Sequence, residues 1–363
     1  MYCKKCLLPD TYLGIKLDEN GICQYCNSYS HKEYLGPEVL KKVISDPLQR
    51  NNSSKYDCIV GFSGGRDSTY LLWYVVNVLK LRPLAVFSDD LFIPQIAIDN
   101  MYRTCQILGC DLKVIKHDNL KKCIKHNLTA WIKRPVAETL MFINVGERIG
   151  YETLVEEEAI KQGVKLIFGG RTPIQSEEQY KTNLMKIGNS GGRISWILGW
   201  IKQVLLNPYL AMSLTSLKVQ YKEFMVKKTK ARLLKRNNIV MIHPFYDYIE
   251  WKETVIEDIL FNQLDWKIPK DAKGSGRFGC EVDTLRQYLY YRILGYNDQN
   301  IDYSGLIRNG QLTREQARLK LVSSQNISDD YIRSILIKAG VNADSFMRTL
   351  DKKYPRFTNP LDI

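Results

Sequence analysis

The chain has no long apolar run. Its most apolar-leaning segment, Ile194 to Leu217, is interrupted by Lys202, Gln203, Asn207 and Pro208. A spanning helix needs about 20 consecutive apolar residues, so no transmembrane segment is expected. The segment is read as core or interface packing, with contact to a membrane surface as the lesser alternative. The opening MYCKKCLLPD has no apolar h-region, so no export signal and a cytoplasmic location are expected. Nine cysteines in reducing surroundings then point to metal, catalysis or packing rather than disulfides. Histidine is scarce: His31, His117, His126 and His243 show no pairing with a cysteine that would make a nucleophile and base. Repeats and low-complexity tracts are missing. The 45% hydrophobic and 25% charged residues are ordinary for a globular protein, and 363 residues suffice for one large domain or two smaller ones. Lys and Arg number 52 against 39 Asp and Glu, a formal +13. This leans towards anionic partners: nucleotides, nucleic acid or acidic sugars. The excess is read as spread along the chain, which leaves an ordinary basic surface open as the alternative.

Three regions are expected. Residues 1–30 form a Cys-rich unit, and a polar stretch around Asn51-Asn52-Ser53-Ser54 reads as a linker. From Tyr56 to Phe168, short β-branched runs alternate with helical spacing, which predicts a parallel sheet covered on both faces over residues 55–180. Residues 181–363 are read as a mainly helical substrate or assembly region. Within it Thr313 and Gln316 have the spacing of a capping box.

Cys3-x-x-Cys6 and Cys23-x-x-Cys26 are separated by sixteen residues, the spacing of a tetrahedral zinc site. A two-residue gap lets both sulfurs of a knuckle reach one ion, and four thiolates close its shell. A redox dithiol and simple packing are the alternatives. The other five cysteines are read as packing or incidental, Cys280 among them.

The second motif is Ser63-Gly64-Gly65-Arg66-Asp67-Ser68, between a strand and a helix. The glycines let backbone N–H groups approach an anion, and the helix start adds the positive end of its dipole. No Lys reaches the phosphates, so this is not the GxxxxGK[ST] loop. Its place at a strand's carboxyl end is where open α/β sheets bind ligands.

SGGRDS resembles the signature of the PP-loop ATP pyrophosphatases, which cleave ATP between the α- and β-phosphates and adenylate a carbonyl-type oxygen. The resemblance narrows with CKKCLLPDTYLGIKLDENGICQYC, GFSGGRDSTYLL, LRPLAVFSDD and the tail SGLIRNGQLTREQA from Ser304 to Ala317. Together they resemble the N-acetyl sugar amidotransferases of bacterial surface-polysaccharide synthesis. The chain departs from that pattern at Asp89-Asp90-Leu91, where Asp-Asn-Gly is expected, and in having no cysteine around Met141 to Gly150. The fold implied is α/β: a PP-loop, adenine nucleotide alpha-hydrolase-like parallel sheet. An N-terminal zinc knuckle of four cysteines and a helical C-terminal region flank it. The activity implied is ATP-dependent conversion of an acetamido group to an acetamidino group in lipopolysaccharide O-antigen, capsule or other glycan synthesis. Ammonia is expected from a glutaminase subunit working with a cyclase-like delivery subunit, because this chain has Tyr2 where an N-terminal cysteine nucleophile would stand and no Gly-x-Cys-x-Gly elbow.

On this reading Ser63, Gly64, Gly65, Arg66, Asp67 and Ser68 hold ATP phosphates. Val86, Phe87 and Ser88 cradle adenine through backbone groups, and Gly169 and Gly170 receive nucleotide or sugar. Asp67, Asp89 and Asp90 are candidate catalytic residues near Mg²⁺; helix capping for Asp67 and turn formation for the other two remain the alternatives. Arg171, Gln175 and Glu177 are candidates for substrate contact, and Cys3, Cys6, Cys23 and Cys26 for structural Zn²⁺. The substrate class is an acetamido sugar, and no nucleic acid partner is expected. The competing reading is a PP-loop tRNA-modifying enzyme, a thiolase or lysidine-type ligase. Against it stand the missing C-x-x-C spacing among the other cysteines and the absence of a recognisable RNA-binding appendage. A non-enzymatic nucleotide-binding scaffold is a third reading, disfavoured by the intact loop.

Overall fold

The computed structural model describes residues 1–49, 54–116, 118–143, 153–173, 180–185, 193–268 and 280–355. After the Cys-rich unit comes helix α1 (Pro37–Gln49). Strand β1 (Cys58–Gly61) then leads through the glycine loop into α2 (Arg66–Asn77). Next come β2 (Pro83–Asp89), α3 (Gln95–Leu108), β3 (Asp111–Lys116) and α4 (Asp118–Lys133). They are followed by α5 (Leu154–Gln162) and β4 (Leu166–Phe168). Gly109 and Gly163, both at positive φ, end α3 and α5, as left-handed C-caps do.

The five strands form one parallel sheet in the order β3-β2-β1-β4-β5. The fifth strand, β5 (Val240–Ile242), comes from within the stretch read as helical from 181 onward, so the sheet extends beyond the expected limit at residue 180. β5 has three residues, too few for a helical or alternating period to register. Its hydrogen bonds to β4 decide its state.

β1, β2 and β4 are buried on both faces, as parallel strands under helices are. One face sets Ile59, Leu84, Val86 and Ile167 against Val155 and Ala159 of α5 and Ile239 beside β5. The other sets Val60, Ala85, Phe87 and Phe168 among Leu71, Leu72 and Val75 of α2 and Ala97 and Met101 of α3. The chain runs outward from β1 in both directions, β2 lying to one side and β4 to the other. That is a topological switch point, and its crevice opens at the strands' carboxyl ends.

Beyond β4 the described helices are α6 (Tyr180–Met185), α7 (Arg193–Leu206) and α8 (Leu214–Asn237). α9 (Glu253–Asp258) runs on into a π turn, Ile259–Gln263. The chain continues with α10 (Glu281–Leu294), α11 (Asp298–Arg308), α12 (Arg314–Gln325), α13 (Asp329–Lys338) and α14 (Ala343–Lys353). Thr313 and Gln316 form the expected capping box on α12, and Asn297 with Asn300 forms a second on α11. Ser328 and Asn342 cap α13 and α14. The core of this bundle includes Leu289, Leu321, Ile332, Leu336, Phe346 and Leu350. Phe346 stacks on Trp131 of α4 at 5.4 Å, tying the bundle to the sheet domain. Among the described residues no helix is long and apolar enough to cross a membrane.

Candidate active site at the switch point

Gly64 has φ +72, a conformation that a side chain resists, and a Cβ there would lie 2.7 Å from Met101 Cγ. Glycine is therefore required both for the turn and for the close approach of α3. Gly65 then caps α2 without a side-chain hydrogen bond. The first N–H groups of any helix lack partners within it, so Arg66, Asp67 and Ser68 present theirs to whatever anion enters the crevice. The two serines close the loop on itself. Ser63 Oγ and Ser68 Oγ are 2.9 Å apart, and Ser68 Oγ also donates to the Gly65 carbonyl at 3.1 Å.

The charged side chains of the loop are turned towards the protein. Arg66 Nη1 donates to Glu253 Oε1 at 2.7 Å, and its guanidinium lies over the Trp251 ring at 4.8 Å. Asp67 Oδ1 accepts from Trp251 Nε1 at 3.0 Å. Trp266 Nε1 donates to the Gly64 carbonyl at 3.3 Å. The other Glu253 oxygen meets Lys320 Nζ of α12 at 2.9 Å. Gln311 spans the base of this brace: its amide donates to the Trp251 carbonyl at 2.7 Å and accepts from the Glu253 N–H at 3.0 Å. Arg66 is half-buried, and the neighbouring carboxylates Asp67 and Glu253 hold its pKa above the ordinary value against the desolvation that would lower it. Its charge is thus already matched, and the group it offers the crevice is its N–H. Glu253, Trp251, Trp266, Gln311 and Lys320 belong to the site, yet nothing in their local sequence marks them. The loop meets them only through chain folding across more than 180 residues.

The second wall is the end of β2. Ser88, Asp89 and Asp90 are buried. Asp89 Oδ1 accepts from the Leu91 N–H at 2.8 Å and Asp90 Oδ1 from the Phe92 N–H at 2.9 Å, so each carboxylate spends one oxygen on the turn. Burial raises the Asp90 pKa above the ordinary carboxylate value, opposed by a hydrogen bond with Cys280. Leu91 takes φ +70 at the tip, which is where the resembling family has glycine.

The third wall is Gly169-Gly170. A Cβ on Gly169 would fall 2.4 Å from His243 Cε1, and one on Gly170 would lie 3.6 Å from Ser68 Cα. Gly169 is thus required for the close approach of His243, whereas a Cβ on Gly170 would make only an ordinary contact with the start of α2. His243 Nδ1 lies 3.1 Å from the Gly169 carbonyl. Burial lowers its pKa, and Lys230 and Arg171 lower it further. The sequence reads His243 as part of a turn; the structure sets it at the switch point. Arg171 is exposed, its guanidinium 4.7 Å over the Tyr246 ring. Gln175 and Glu177 lie outside the described residues.

The four cysteines of the N-terminal unit come together. All four sulfurs lie within 4.8 Å of one another. Cys3 Sγ is 3.9 Å from Cys26 Sγ, and Cys6 Sγ is 3.8 Å from Cys23 Sγ. Four sulfurs about 2.3 Å from a central ion stand about 3.8 Å apart at the corners of a tetrahedron, so this donor set fits one thiolate-loving ion. The unit is docked on the C-terminal bundle. Leu7 N–H donates to Ser304 Oγ at 3.0 Å, Leu13 N–H to Tyr296 Oη at 3.2 Å, and Arg314 Nε to the Cys6 carbonyl at 3.3 Å. The tail from Ser304 to Ala317 therefore touches the cysteine unit through Ser304 and Arg314 and the loop brace through Gln311.

Residues 275–359 match the family model of the WbpG-like LPS biosynthesis protein C-terminal domain. This match contains the whole Ser304–Ala317 tail on which the resemblance partly rested. The uncharacterized protein MJ1599 of Methanocaldococcus jannaschii is 32% identical over 83 residues, which covers 22% of this chain and 30% of that protein. The match thus spans under a third of that relative. Among solved structures, the NMN synthetase from Francisella tularensis has a TM-score of 0.34 at 11% identity, covering 85% of this chain and 98% of its own. The NH3-dependent NAD synthetase from Campylobacter jejuni gives 0.28 at 17%, covering 64% and 95%. The U34-tRNA thiolase NcsA from Methanococcus maripaludis gives 0.31 at 14%, covering 76% and 79%. At these scores the statement of fold rests on the sheet topology alone.

Proposed function

We propose that this chain is an ATP-dependent, AMP-forming amidotransferase of lipopolysaccharide biosynthesis that converts an acetamido group on a sugar to an acetamidino group. The observation that carries this reading is the join between the two informative segments. Gln311 and Lys320, inside the segment that matches LPS biosynthesis proteins, brace the glycine loop at the head of α2.

An amide carbon is a poor electrophile, and its oxygen is a poor leaving group. In the proposed reaction the amide oxygen attacks the α-phosphorus of ATP and pyrophosphate leaves. Ammonia then adds to the activated carbon, and AMP departs with the former amide oxygen, leaving the amidine. The N–H groups of Arg66, Asp67 and Ser68 and the hydroxyls of Ser63 and Ser68 hold the departing pyrophosphate, an electrostatic contribution fixed before the reaction. Val86, Phe87 and Ser88 line the adenine side through their backbone. Gly169 and Gly170 leave room for the nucleotide or sugar, with Arg171 towards the sugar; Gln175 and Glu177 are further candidates for sugar contact from the sequence alone. Mg²⁺ suits the hard oxygens of Asp89, with Asp67 or Asp90 beside it, and would neutralise charge on the phosphates. The tie of Asp90 to Cys280 and Phe92 makes Asp89 the preferred ligand. The cysteine unit holds one Zn²⁺: sulfurs this close suit a single ion, whereas a multi-iron cluster spreads its ligands farther apart. Its role is to fix the fold, because a closed four-sulfur shell leaves no open position. Ammonia comes from a separate glutaminase with its cyclase-like delivery subunit.

The test is AMP release by the purified chain with ATP, Mg²⁺ and ammonium, run beside a panel of acetamido nucleotide-sugars and unmodified tRNA. AMP that rises with one sugar, with an oxygen-to-NH mass change in that sugar, supports the reading. AMP that rises only with tRNA replaces it with the tRNA-modifying alternative. For the partner, a pull-down that recovers no glutaminase, together with full activity on glutamine alone, would sink the ammonia-delivery part.

A further inference from the structure

The positive charge is not spread evenly, contrary to the expectation from sequence. Residues 193–237 hold ten Lys and Arg against the single acidic residue Glu223, a net +9 of the chain's +13. This stretch is α7 and α8 with the turn between them.

Among the described residues, α7 is fixed to the protein by one side. Trp196 stacks on Phe224 at 5.6 Å, Trp200 Nε1 donates to Gln220 Oε1 at 3.1 Å, and Gln203 Oε1 accepts from Arg134 Nη1 at 2.6 Å. Gly199 lies so close to α6 that a Cβ would overlap the Met185 carbonyl. The opposite side carries Ile194, Leu198, Ile201 and Leu205 at helical spacing. Ile194 and Leu205 are each 75% exposed and Leu198 50%; Met212 and Leu214 beyond the turn are 69% and 76% exposed. Lys202 on α7 and Lys218, Lys222, Lys227, Lys228, Arg232, Lys235 and Arg236 on α8 are exposed too.

We propose that this face docks on an anionic lipid bilayer. The aliphatic side chains of α7 enter the boundary between headgroups and acyl chains, and the lysines and arginines meet the headgroup phosphates. A 14-residue helix cannot span a bilayer. One with an aliphatic side, flanked by basic residues and free of acidic ones, lies in the interface. Charge complementarity selects the occupant: anionic headgroups match a nearly acid-free surface, and each nearby basic residue adds to the attraction. Nucleic acid would also match the charge, but it stacks its bases on aromatic side chains. Here Trp196 and Trp200 are turned inward and the exposed side of α7 is aliphatic; the aromatic side chains that are exposed, Tyr209 in the turn and Tyr221 on α8, are amphipathic rings that suit the headgroup level of a bilayer.

The test uses the full chain without ATP or sugar, so its outcome is separate from the catalytic reading. Sedimentation is measured with vesicles of phosphatidylcholine alone and of phosphatidylcholine mixed with phosphatidylglycerol, at low and high salt. Binding to the anionic vesicles is expected, weakening at least about tenfold at high salt as the surface charge is screened. The double variant Ile194→Glu, Leu205→Glu should lose at least about tenfold in vesicle affinity with unchanged circular dichroism, because both side chains already face solvent. Lys227→Glu with Lys228→Glu should lose a similar factor and flatten the salt dependence. Equal binding to neutral and anionic vesicles, or variants that bind like the parent, would overturn the proposal. So would lipid-free self-association abolished by the same apolar variants, which would make the face a protein interface. Vesicle binding displaced by tRNA with no loss in the apolar variants would make it a nucleic-acid surface.

Discussion

Two parts of the region that the sequence presents as uniformly helical behave differently. The α10–α14 bundle turns most of its apolar side chains inward, Leu319 and Ile337 being exposed, caps its helices and accepts the cysteine unit against its flank. α7 and α8 stack Trp196 and Phe224 against each other and leave aliphatic side chains in solvent. Helical spacing shows that a helix has an apolar side. It does not show which side the rest of the chain covers, because covering is a property of the neighbours. The two parts also differ in their reach to the switch point. The bundle grips the glycine loop through Gln311 and through Lys320 on Glu253, whereas the ion pair of Lys230 with Glu156 ties α8 to α5.

The strongest way to break this contrast is to remove the metal proposed for the cysteine unit. Cys6→Ser, or treatment with a strong chelator, should destabilise the chain by about 3 kcal/mol or more, because loss of a structural metal removes folding energy directly. Hydrogen exchange should then rise first in α11 and α12, which carry Ser304 and Arg314, before it rises in α7 and α8. Equal loosening of both parts would mean that the unit does not support the bundle selectively.

Next in size is the brace. Glu253→Gln leaves Arg66 and Lys320 facing a neutral amide. Breaking a buried pair by removing one charge costs about 3–5 kcal/mol. ATP-dependent AMP formation should fall with it, whereas Lys227→Glu with Lys228→Glu should leave that rate unchanged in the absence of lipid. If both changes slow the reaction alike, the claim that only the bundle grips the loop fails.

A paired truncation sharpens the comparison. Leu336→Ala deletes a fully buried side chain and should cost about 2–5 kcal/mol in urea unfolding. Leu205→Ala, at a side chain 75% exposed, should stay within about 0.5 kcal/mol. Similar costs would mean that α7 is covered in the isolated protein.

The smallest expected effect concerns Lys230, a basic side chain of α8 that acts on His243 at the switch point. Burial, Lys230 and Arg171 depress the pKa of His243. A depressed native pKa contributes stability that is fully present above the unfolded value of about 6.5 and is lost as pH falls through the native one. Stability should therefore decline on acidification below about pH 6.5, less steeply in His243→Asn. Lys230→Met should move the His243 titration, followed by NMR, upward by a fraction of a unit. A downward shift would contradict the assigned cause.

Much of the site was legible because its signals are local. Cys3-x-x-Cys6 and Cys23-x-x-Cys26 carry their own ligand spacing, and Ser63–Ser68 carries the glycines that a tight turn at a helix start demands. The β2 end could be placed because a buried run stops at two aspartates. Trp251, Glu253 and His243 were not legible in these roles: a tryptophan or glutamate near a helix start looks the same whether it faces solvent or an arginine 187 residues away. The short β5 was missed for a similar reason, since three residues have no period.

By itself, then, the sequence determined the parallel α/β sheet, the four-cysteine unit, the phosphate-type loop and the capped C-terminal helices, because propensity, period and ligand spacing act between neighbours in the chain. Only the tertiary structure decided that the loop's charges are matched from behind, that β5 closes the sheet and sets His243 against Gly169, and that α7 faces outward with its aliphatic side. Those outcomes depend on which surfaces meet, and burial, ion pairing and exclusion of water exist only once they have met.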